Sequence, residues 1–499
     1  MILFIDGHAY HYEMESLCDI FLPYEKVRVV YELPPDDDKE PIVATTRIRE
    51  ENGTAKLHVS LRMDGAYREA SGVFDHNAME QEPFDKLCAV KLAVLLYGLF
   101  TELCRYEPKW GVLIGVRPIK LLRRLSEEMG EEAAVRYFLE ELHVSKEKTD
   151  LSCRTMHVEK QLLALSRPES FSLYVSIPFC PTRCAYCSFV ASSVKQTAAL
   201  IPQYVELLCE ELVCTARIVK ELGLRLQTIY FGGGTPTTLT AQQISQLLSV
   251  IHREFDLSFC RELTVEAGRP DTITEEKLLA MKEQGVSRIS INPQTMNDAV
   301  LRNIGRRHTT EQTVRAFDLA RQCGMDNINM DRIAGLPREP LESFRNTIDT
   351  VTDMDPESIT VHTLSLKRSS DINQNGRHEF INDASLAGSM LDYAQEQLTE
   401  KGYRPYYLYR QSRMVGNLEN TGWAKPGFEN LYNVFIMDET HTILACGAGA
   451  VSKVRDPYSN RLERIFNFKY PYEYRDRFGE MLERKEKVKE IYTNFGIHF

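Results

Sequence analysis

The strongest constraint on the fold is a repeat in which short strand-like runs alternate with amphipathic helical segments. The runs occupy residues 172–177, 226–231, 262–267, 288–292, 327–333 and 358–364. Apolar residues at helical spacing lie between them, at 203–221, 241–255, 275–284, 311–323 and 340–354. Parallel strands require crossover connections, so six successive units predict an α/β fold whose parallel sheet curves into a partial (β/α)6 barrel. We expect the chemistry at the carboxyl ends of these strands.

The flanking segments predict two further parts and therefore three domains. These are an N-terminal α+β module at 1–165, the barrel at 166–375 and a C-terminal α+β extension at 376–499. In the module, apolar runs predict strands at 1–5, 26–33, 44–48 and 56–63, and helical periodicity predicts helices at 84–104, 118–129 and 131–142. In the extension we expect one long helix at 384–401 and strands at 406–409, 432–437 and 441–444.

Composition excludes several classes of function. The chain has 499 residues, with 60 Lys and Arg against 71 Asp and Glu, for a net charge of −11. This acidic balance argues against a nucleic-acid coat protein or a polybasic membrane binder. The opening MILFIDGHAY does not resemble a secretory signal, and the apolar stretch at 91–103 is too short to span a bilayer. We expect a cytoplasmic protein with no nucleic-acid partner and no membrane span.

Three of the twelve cysteines crowd into the loop after the first predicted barrel strand. Cys180, Cys184 and Cys187 have the spacing Cys-x3-Cys-x2-Cys. Three thiolates on one tight loop can hold three irons of a four-iron cluster and leave the fourth iron open for a ligand. Zinc is the poorer alternative, because a closed structural zinc site needs a fourth Cys or His at short spacing.

The cysteine loop resembles that of the radical S-adenosylmethionine (SAM) enzymes. Their signature is Cys-x3-Cys-x-aromatic-Cys on the first loop of a partial barrel, and Tyr186 supplies the aromatic residue here. The resemblance implies a [4Fe–4S] cluster whose open iron binds SAM, and cleavage of SAM by one electron to a 5′-deoxyadenosyl radical. It also implies a reductant protein such as flavodoxin or ferredoxin.

Two further segments resemble the oxygen-independent coproporphyrinogen III oxidases. These are YVSIPFC at 174–180 and the glycine-rich FGGGTPT at 231–237. Glycines after a strand let the backbone approach a cofactor closely and expose its polar groups. Together with a long N-terminal module, GVRPIKLL at 115–122 and GAGAVSK at 447–453 resemble the HemZ-like branch over nearly the full chain. The extension at 376–499 then resembles the C-terminal part of HemN.

The resemblance assigns site residues one by one. Glu266, Gln294, Arg306 and Asp331 each stand at or just after the end of a predicted strand, where side chains can reach the barrel mouth. By resemblance, Glu266 contacts the cluster-bound SAM, and Gln294, Arg306 and Asp331 contact a second SAM molecule. The remaining implied cofactor contacts are Tyr174, Tyr186, Gly233, Gly234, Thr235 and Val451. Catalytic roles are implied for Tyr174 and Arg306.

Three features depart from the main coproporphyrinogen class. Ser176 stands where that class has a histidine, and Ser188 stands where it has a further cysteine. The Phe-Gln-Gly-Tyr segment of that class is absent from the C-terminal part of the sequence. These departures concern the second cofactor site and proton handling rather than the cluster.

The resemblance implies an oxidoreductase of haem biosynthesis, an oxygen-independent coproporphyrinogen III dehydrogenase. Its porphyrinogen substrate carries four carboxylates, and arginine is well suited to bind carboxylates. The candidate cations are Arg306, Arg307, Lys367 and Arg368, and the candidate proton donors are His308 and His362. The alternatives are a HemW-like haem chaperone and a radical SAM methyltransferase or haem-degrading enzyme. Incubation with coproporphyrinogen III and SAM separates them.

Overall fold

A computed structural model describes residues 1–23, 25–32, 40–51, 54–75, 81–187, 191–365, 384–411 and 414–497. These residues group into two units. One comprises Met1–Cys153 and Arg410–Glu419, and the other comprises Arg154–Tyr409 and Asn420–Phe499. The three-domain boundaries given above stay predictions.

The first unit contains a mixed five-stranded sheet. Its strands are β1 (Ile2–Asp6), β2 (Arg28–Val30), β3 (Ile42–Glu51), β4 (Thr54–Met63) and β5 (Ala66–Asp75), in the order β2-β1-β3-β4-β5. β1 is parallel to both neighbours, and β3, β4 and β5 form an antiparallel meander. The helices are α1 (His11–Phe21), α2 (Gln81–Cys104), α3 (Pro118–Met129), α4 (Glu131–Arg136), which continues into a π-helical turn at Tyr137–Glu141, and the start of α5 (Lys146–Leu163). The sequence reasoning missed α1, α5 and β5.

Helix α2 is longer than the stretch at 91–103 on which the membrane prediction rests. Within the residues that the structure describes, Phe84–Cys104 is the one helix that could cross a membrane by length and composition. It packs against β4, β5 and α1, and Leu92, Leu96 and Phe100 are fully buried. The core helix of a soluble protein passes the same test of length and composition, so the finding is weak evidence for a membrane span.

The second unit contains the predicted partial barrel. Its six parallel strands lie side by side in chain order as β6 (Ser170–Ile177), β9 (Arg225–Gly233), β10 (Glu262–Glu266), β11 (Arg288–Ser290), β12 (Ile328–Ala334) and β13 (Ser358–Thr363). The short pair β7 (Phe179–Cys180) and β8 (Ser192–Ser193) follows β6. The six-unit α/β barrel that the repeat predicts is confirmed.

Helices connect the barrel strands. They are α6 (Val194–Thr197), α7 (Ile201–Glu221), α8 (Ala241–Glu254), α9 (Glu275–Glu283), α10 (Asp298–Asn303), α11 (Thr310–Gln322) and α12 (Leu341–Asp353). Capping boxes fix the start of α8 at Thr240 and of α11 at Thr309. The core lies between these helices and the sheet, where Leu173, Ile229 and Ile289 are fully buried.

The C-terminal residues extend the same sheet at both edges. After α13 (Ala384–Glu400), β14 (Arg404–Tyr409) and β15 (Asn420–Ala424) continue it beyond β13. At the other edge, β16 (Thr442–Cys446) is parallel to β6, and β17 (Val451–Arg455) and β18 (Leu462–Phe466) follow antiparallel. The last helices are α14 (Leu431–Asp438), α15 (Pro471–Asp476) and α16 (Phe478–Phe495).

The predicted strand at 432–437 is wrong, because these residues belong to helix α14. Asn430 caps the helix by accepting the backbone N–H of Asn433 at 2.7 Å. The Glu262 carboxylate accepts the N–H groups of Leu431 at 3.0 Å and Tyr432 at 3.3 Å. These bonds give partners to backbone N–H groups in the first turn of the helix, which have none within the helix itself. The local sequence, which is rich in β-forming residues, does not reveal these partners.

Candidate active site at the barrel mouth

The cysteine loop lies at the carboxyl end of β6 and is fixed by backbone contacts. Ala185 N donates to Ile304 O at 2.9 Å, and Cys187 N donates to Cys184 O at 3.1 Å. The Thr182 hydroxyl donates to Gly305 O at 3.2 Å. The loop is therefore held against the segment that follows α10.

The three thiols share this loop but differ in exposure. Cys184 is buried, whereas Cys180 and Cys187 are half-buried, and none of the three is in a disulfide. Burial raises the pKa of Cys180, while a hydrogen bond from the Thr235 hydroxyl, 3.5 Å from Sγ, and the charge of Arg269 oppose the shift. Donors and cations of this kind favour a thiolate.

The glycine-rich loop after β9 packs directly against the cysteine loop. A Cβ on Gly234 would lie 2.6 Å from Phe179 O, and Gly233 has a φ of +100°. Side chains at either position would collide or be strained. The glycines are thus required by packing between β9 and the β6–β7 connection, which places Thr235 beside Cys180.

Glu266 at the end of β10 is bonded to a tyrosine that the sequence reasoning missed. The Tyr230 hydroxyl donates to Glu266 Oε1 at 2.5 Å. Burial raises the pKa of Glu266 to about 7, and the Tyr230 hydrogen bond partly opposes that rise. The Tyr230 ring stacks on Tyr432 at 4.4 Å and on Tyr174 at 6.2 Å between centroids. Three rings therefore lie together beside the carboxylate.

Asp331 on β12 forms a second acidic position, opposite a histidine. The Asp331 carboxylate lies 3.7 Å from His362 Nε2 and accepts the Asn329 amide at 2.6 Å. Burial opposes ionisation, but His362 and the hydrogen bonds from Asn329 and Thr360 outweigh it, so the pKa of Asp331 is lowered. Asp331 is thus held as a carboxylate beside the His362 ring.

Arg306 links the cysteine loop to the loops after β10 and β11. Its Nη1 donates to Asn292 O at 2.6 Å and to Gly268 O at 3.3 Å. Burial opposes the charge of the guanidinium, but the neighbouring Tyr186 and Cys184 side chains raise the pKa of Arg306. Within the described part of the chain its Nε has no partner, and neither does the buried Gln294 Oε1. Gln294 has a φ of +66°, a strained conformation that its backbone bonds to β12 maintain.

The turn that precedes Val451 meets Ser176 at the other side of the mouth. The turn that leads from β16 to Val451 contacts β6, because the Ser176 hydroxyl donates to Ala448 O at 2.8 Å. Ser176 is 4% exposed. The position at which the main coproporphyrinogen class has a histidine therefore holds this turn in place.

Several candidates do not join this group. Arg307 is exposed, and His308 is buried. Burial, followed by the charges of Arg306 and Arg269, lowers the pKa of His308 to about 3, so its ring is neutral near pH 7 and cannot donate as an imidazolium. The predictions for Lys367, Arg368 and Ser188 lie outside the described residues.

The donor set fits a cluster and SAM. Three cysteines outside any disulfide share one loop, Glu266 and Asp331 supply carboxylates, and buried polar atoms of Gln294 and Arg306 have no partner among the described residues. In the same residues, no three His, Cys, Asp or Glu side chains converge as for one metal ion. A four-iron cluster does not require that, because each thiolate binds a different iron.

Comparison with known proteins agrees with this reading. Residues 174–351 match the family model of the Radical SAM superfamily. The HemZ protein of Bacillus subtilis, an "oxygen-independent coproporphyrinogen-III oxidase-like protein", is 36% identical over 488 residues, 96% of this chain and 95% of its own length. The chain therefore belongs to the radical SAM superfamily, whose members use a [4Fe–4S] cluster and SAM. The resemblance to the HemZ-like branch is confirmed.

Two other proteins are similar to a smaller part of the chain. The haem chaperone HemW of Lactococcus lactis is 30% identical over 331 residues, 65% of this chain and 80% of its own length. The structure of coproporphyrinogen III oxidase (HemN) from Escherichia coli superimposes with a TM-score of 0.52 at 24% identity, over 64% of this chain and 72% of that chain. The second likeness supports the fold alone.

The sequence contained a signal for one of the missed residues. Tyr230 is paired with Tyr174 across β9 and β6, and period-two alternation along β9 places it on the face of Gly232. Tyr432 has no such signal, because its sequence segment predicts a strand, whereas the residue lies in helix α14.

Proposed function

We propose that the chain is an oxygen-independent coproporphyrinogen III dehydrogenase that produces protoporphyrinogen IX. The observation that carries the proposal is the extent of its similarity to HemZ, 96% of the chain against 65% for the HemW relative. In the proposed reaction, two propionates become vinyl groups. Each conversion removes a hydrogen atom and an electron and releases CO2.

The residues at the mouth have separate tasks. We assign Cys180, Cys184 and Cys187 to the cluster. When bound, the cluster and SAM together supply the one-electron chemistry that removes a hydrogen atom from an unactivated carbon. The glycine-rich loop and Thr235 would approach SAM through the backbone, and the Glu266 carboxylate would contact the cluster-bound SAM. This assignment is supported by the contact between Thr235 and Cys180.

A second group supports another ligand at the same mouth. We assign Gln294, Arg306 and Asp331 to a second SAM molecule and Val451 to a further cofactor contact, as the resemblance implies. The unpartnered Gln294 Oε1 supports this role, because a buried polar atom without a partner is costly unless a ligand satisfies it. The pair of His362 and Asp331 is placed to hold or move a proton at His362 Nε2.

The decisive experiment is an anaerobic turnover assay. The reconstituted and reduced protein is incubated with coproporphyrinogen III and SAM, and tetrapyrroles and methionine are quantified. We expect protoporphyrinogen IX together with methionine, and neither product when SAM is omitted. The matched control is the Cys184→Ser variant, which should give neither product.

Other outcomes identify the alternatives. Haem binding without turnover would assign the chain to the haem chaperones. Transfer of a methyl group, or consumption of haem, would assign it to another radical SAM chemistry. Either result contradicts the proposal.

A further inference from the structure

Arg269 is a buried cation beside the mouth that carries none of the roles assigned above. It follows the end of β10 by three residues and is 3% exposed. Its Nε donates to Asp271 Oδ1 at 2.9 Å, and its Nη2 donates to Asp271 Oδ2 at 2.9 Å. Two parallel bonds of this kind fix the plane of a guanidinium. The position of its third nitrogen, Nη1, is therefore fixed as well.

The Nη1 atom of Arg269 contacts the cysteine loop. It donates to the Thr182 hydroxyl at 3.0 Å, and that hydroxyl donates in turn to Gly305 O at 3.2 Å. Thr182 lies midway between Cys180 and Cys184, inside the Cys-x3-Cys spacing. The guanidinium is thus hydrogen-bonded to the middle of the segment that carries the first two of the assigned cluster ligands.

The charge of Arg269 acts on the same loop. Burial raises the pKa of Cys180, and the charge of Arg269 opposes that rise. The reduction potential of an iron–sulfur cluster depends on the charges and hydrogen bonds around it. A positive charge favours the reduced cluster, which carries one more electron, and a negative charge disfavours it. Arg269 and Asp271 should therefore shift the potential in opposite directions.

We propose that Arg269 is a positioning residue of the cluster, which holds the cysteine loop through Thr182 and raises the reduction potential of the cluster through its charge. The inference rests on the assignment of the three cysteines to a [4Fe–4S] cluster, and not on the porphyrinogen substrate. Because the potential is measured without substrate, failure of this inference is distinguishable from failure of the proposed function.

The test is a redox titration of the reconstituted protein without SAM or substrate, in which electron paramagnetic resonance measures the reduced cluster. The variants Arg269→Gln and Asp271→Asn each remove one charge of the pair. The matched control is Arg321→Gln, because Arg321 Nη2 pairs with Glu357 Oε1 at 2.9 Å in the same unit. Glu357 directly precedes β13, so this pair lies at the amino ends of the parallel strands, away from the mouth.

The expected shifts have opposite signs. In Arg269→Gln, the ratio of reduced to oxidised cluster at a fixed potential should fall about tenfold, equivalent to about 59 mV for a one-electron couple. In Asp271→Asn the ratio should rise, because the charge of Arg269 is then uncompensated. Arg321→Gln should keep the wild-type potential. Shifts of the same sign in the first two variants, an unchanged potential in Arg269→Gln or an equal shift in the control would overturn the proposal.

Two further variants separate the hydrogen bond from the charge. Thr182→Val removes the bond to Nη1 and keeps the charge, so it should lose iron to a chelator at least roughly fivefold faster than the wild type, at an unchanged potential. Arg269→Lys should keep most of the potential but not the retention of iron, because an ammonium cannot reproduce the planar fork.

Iron loss from Thr182→Val at the wild-type rate, or a potential in Arg269→Lys as low as in Arg269→Gln, would also contradict the proposal. Should Arg269→Gln retain no cluster, Asp271→Asn decides the effect of charge alone. An unchanged or lower potential in that variant would then overturn the inference.

Discussion

Two clusters of polar side chains at the same edge of the sheet differ in how many of their polar atoms have hydrogen-bond partners. At the mouth, Glu266, Cys180 and Cys187 are partly exposed, and Gln294 and Arg306 keep polar atoms without partners among the described residues. Behind the turn that follows β16, in contrast, the buried Glu211 carboxylate receives four donors. They are Gly447 N at 2.7 Å, Asn467 Nδ2 at 2.9 Å, Tyr474 OH at 2.6 Å and Lys485 Nζ at 2.8 Å. We call this second group the Glu211 network.

We infer from this difference that the mouth binds ligands and that the Glu211 network stabilises the fold. A buried polar group is normally hydrogen-bonded, so unpartnered atoms in a native site indicate capacity for a ligand. A carboxylate that is already saturated has no such capacity, and its removal affects the fold instead. Substitutions at the mouth should therefore weaken ligand binding without loss of stability, and substitutions in the Glu211 network should do the reverse.

The largest effect is expected from Cys184→Ser. The variant should lose the cluster and SAM cleavage completely, because a serine hydroxyl does not replace a thiolate as an iron ligand. Its apoprotein should unfold at the wild-type temperature. Iron content, visible absorbance and thermal unfolding measure these effects. Cys209→Ser, at a half-buried free thiol on α7, is the control that keeps the cluster. Cluster retention by the Cys184 variant would refute the ligand assignment.

The next largest effect is a loss of stability from Lys485→Met. Lys485 is 2% exposed and Glu211 is fully buried, so the substitution leaves an uncompensated carboxylate and should cost about 3–5 kcal/mol. Urea unfolding measures the loss. The double variant Glu211→Gln/Lys485→Met should recover part of it, because the buried charge is removed. A single variant of wild-type stability would show that the network is not what holds the turn.

The sequence predicts the mouth better than it predicts the network. The barrel strands alternate with amphipathic helices, and the three cysteines lie within eight residues, so local patterns reveal both. Two of the four partners of Glu211, Gly447 and Lys485, lie more than 200 residues away in the sequence and show no pattern of their own. For the same reason, the cap that Glu262 gives to α14 was not predictable. Contacts between distant segments become visible only in the fold.

A moderate effect is expected from Tyr230→Phe. The Tyr230 hydroxyl lowers the pKa of Glu266, which burial raises to about 7. Without that hydrogen bond the pKa rises further, so less Glu266 is ionised near pH 7. SAM affinity should fall by roughly fivefold there, equivalent to a hydrogen bond of about 1 kcal/mol, and should recover at higher pH. Binding titrations across pH measure the shift.

The control for this variant is Tyr432→Phe, which keeps the stacked ring and removes a hydroxyl for which the structure gives no bond to Glu266. Its SAM affinity should follow the wild-type pH profile. An equal shift in both variants would mean that the stack, and not the hydrogen bond, positions Glu266.

The smallest effect is expected from Ser176→Ala, which tests whether the turn after β16 belongs to the mouth or to its support. Ser176 belongs to β6 of the mouth, but its hydroxyl donates to Ala448 O in the turn that the Glu211 network supports. Ser176→Ala should therefore cost about 1 kcal/mol of unfolding free energy and leave the SAM affinity unchanged. The exposed Ser389→Ala is the control and should change stability by less than about 0.5 kcal/mol. If Ser176→Ala instead weakens SAM binding at unchanged stability, Ser176 acts on the cofactor, and the turn after β16 belongs to the mouth rather than to its support.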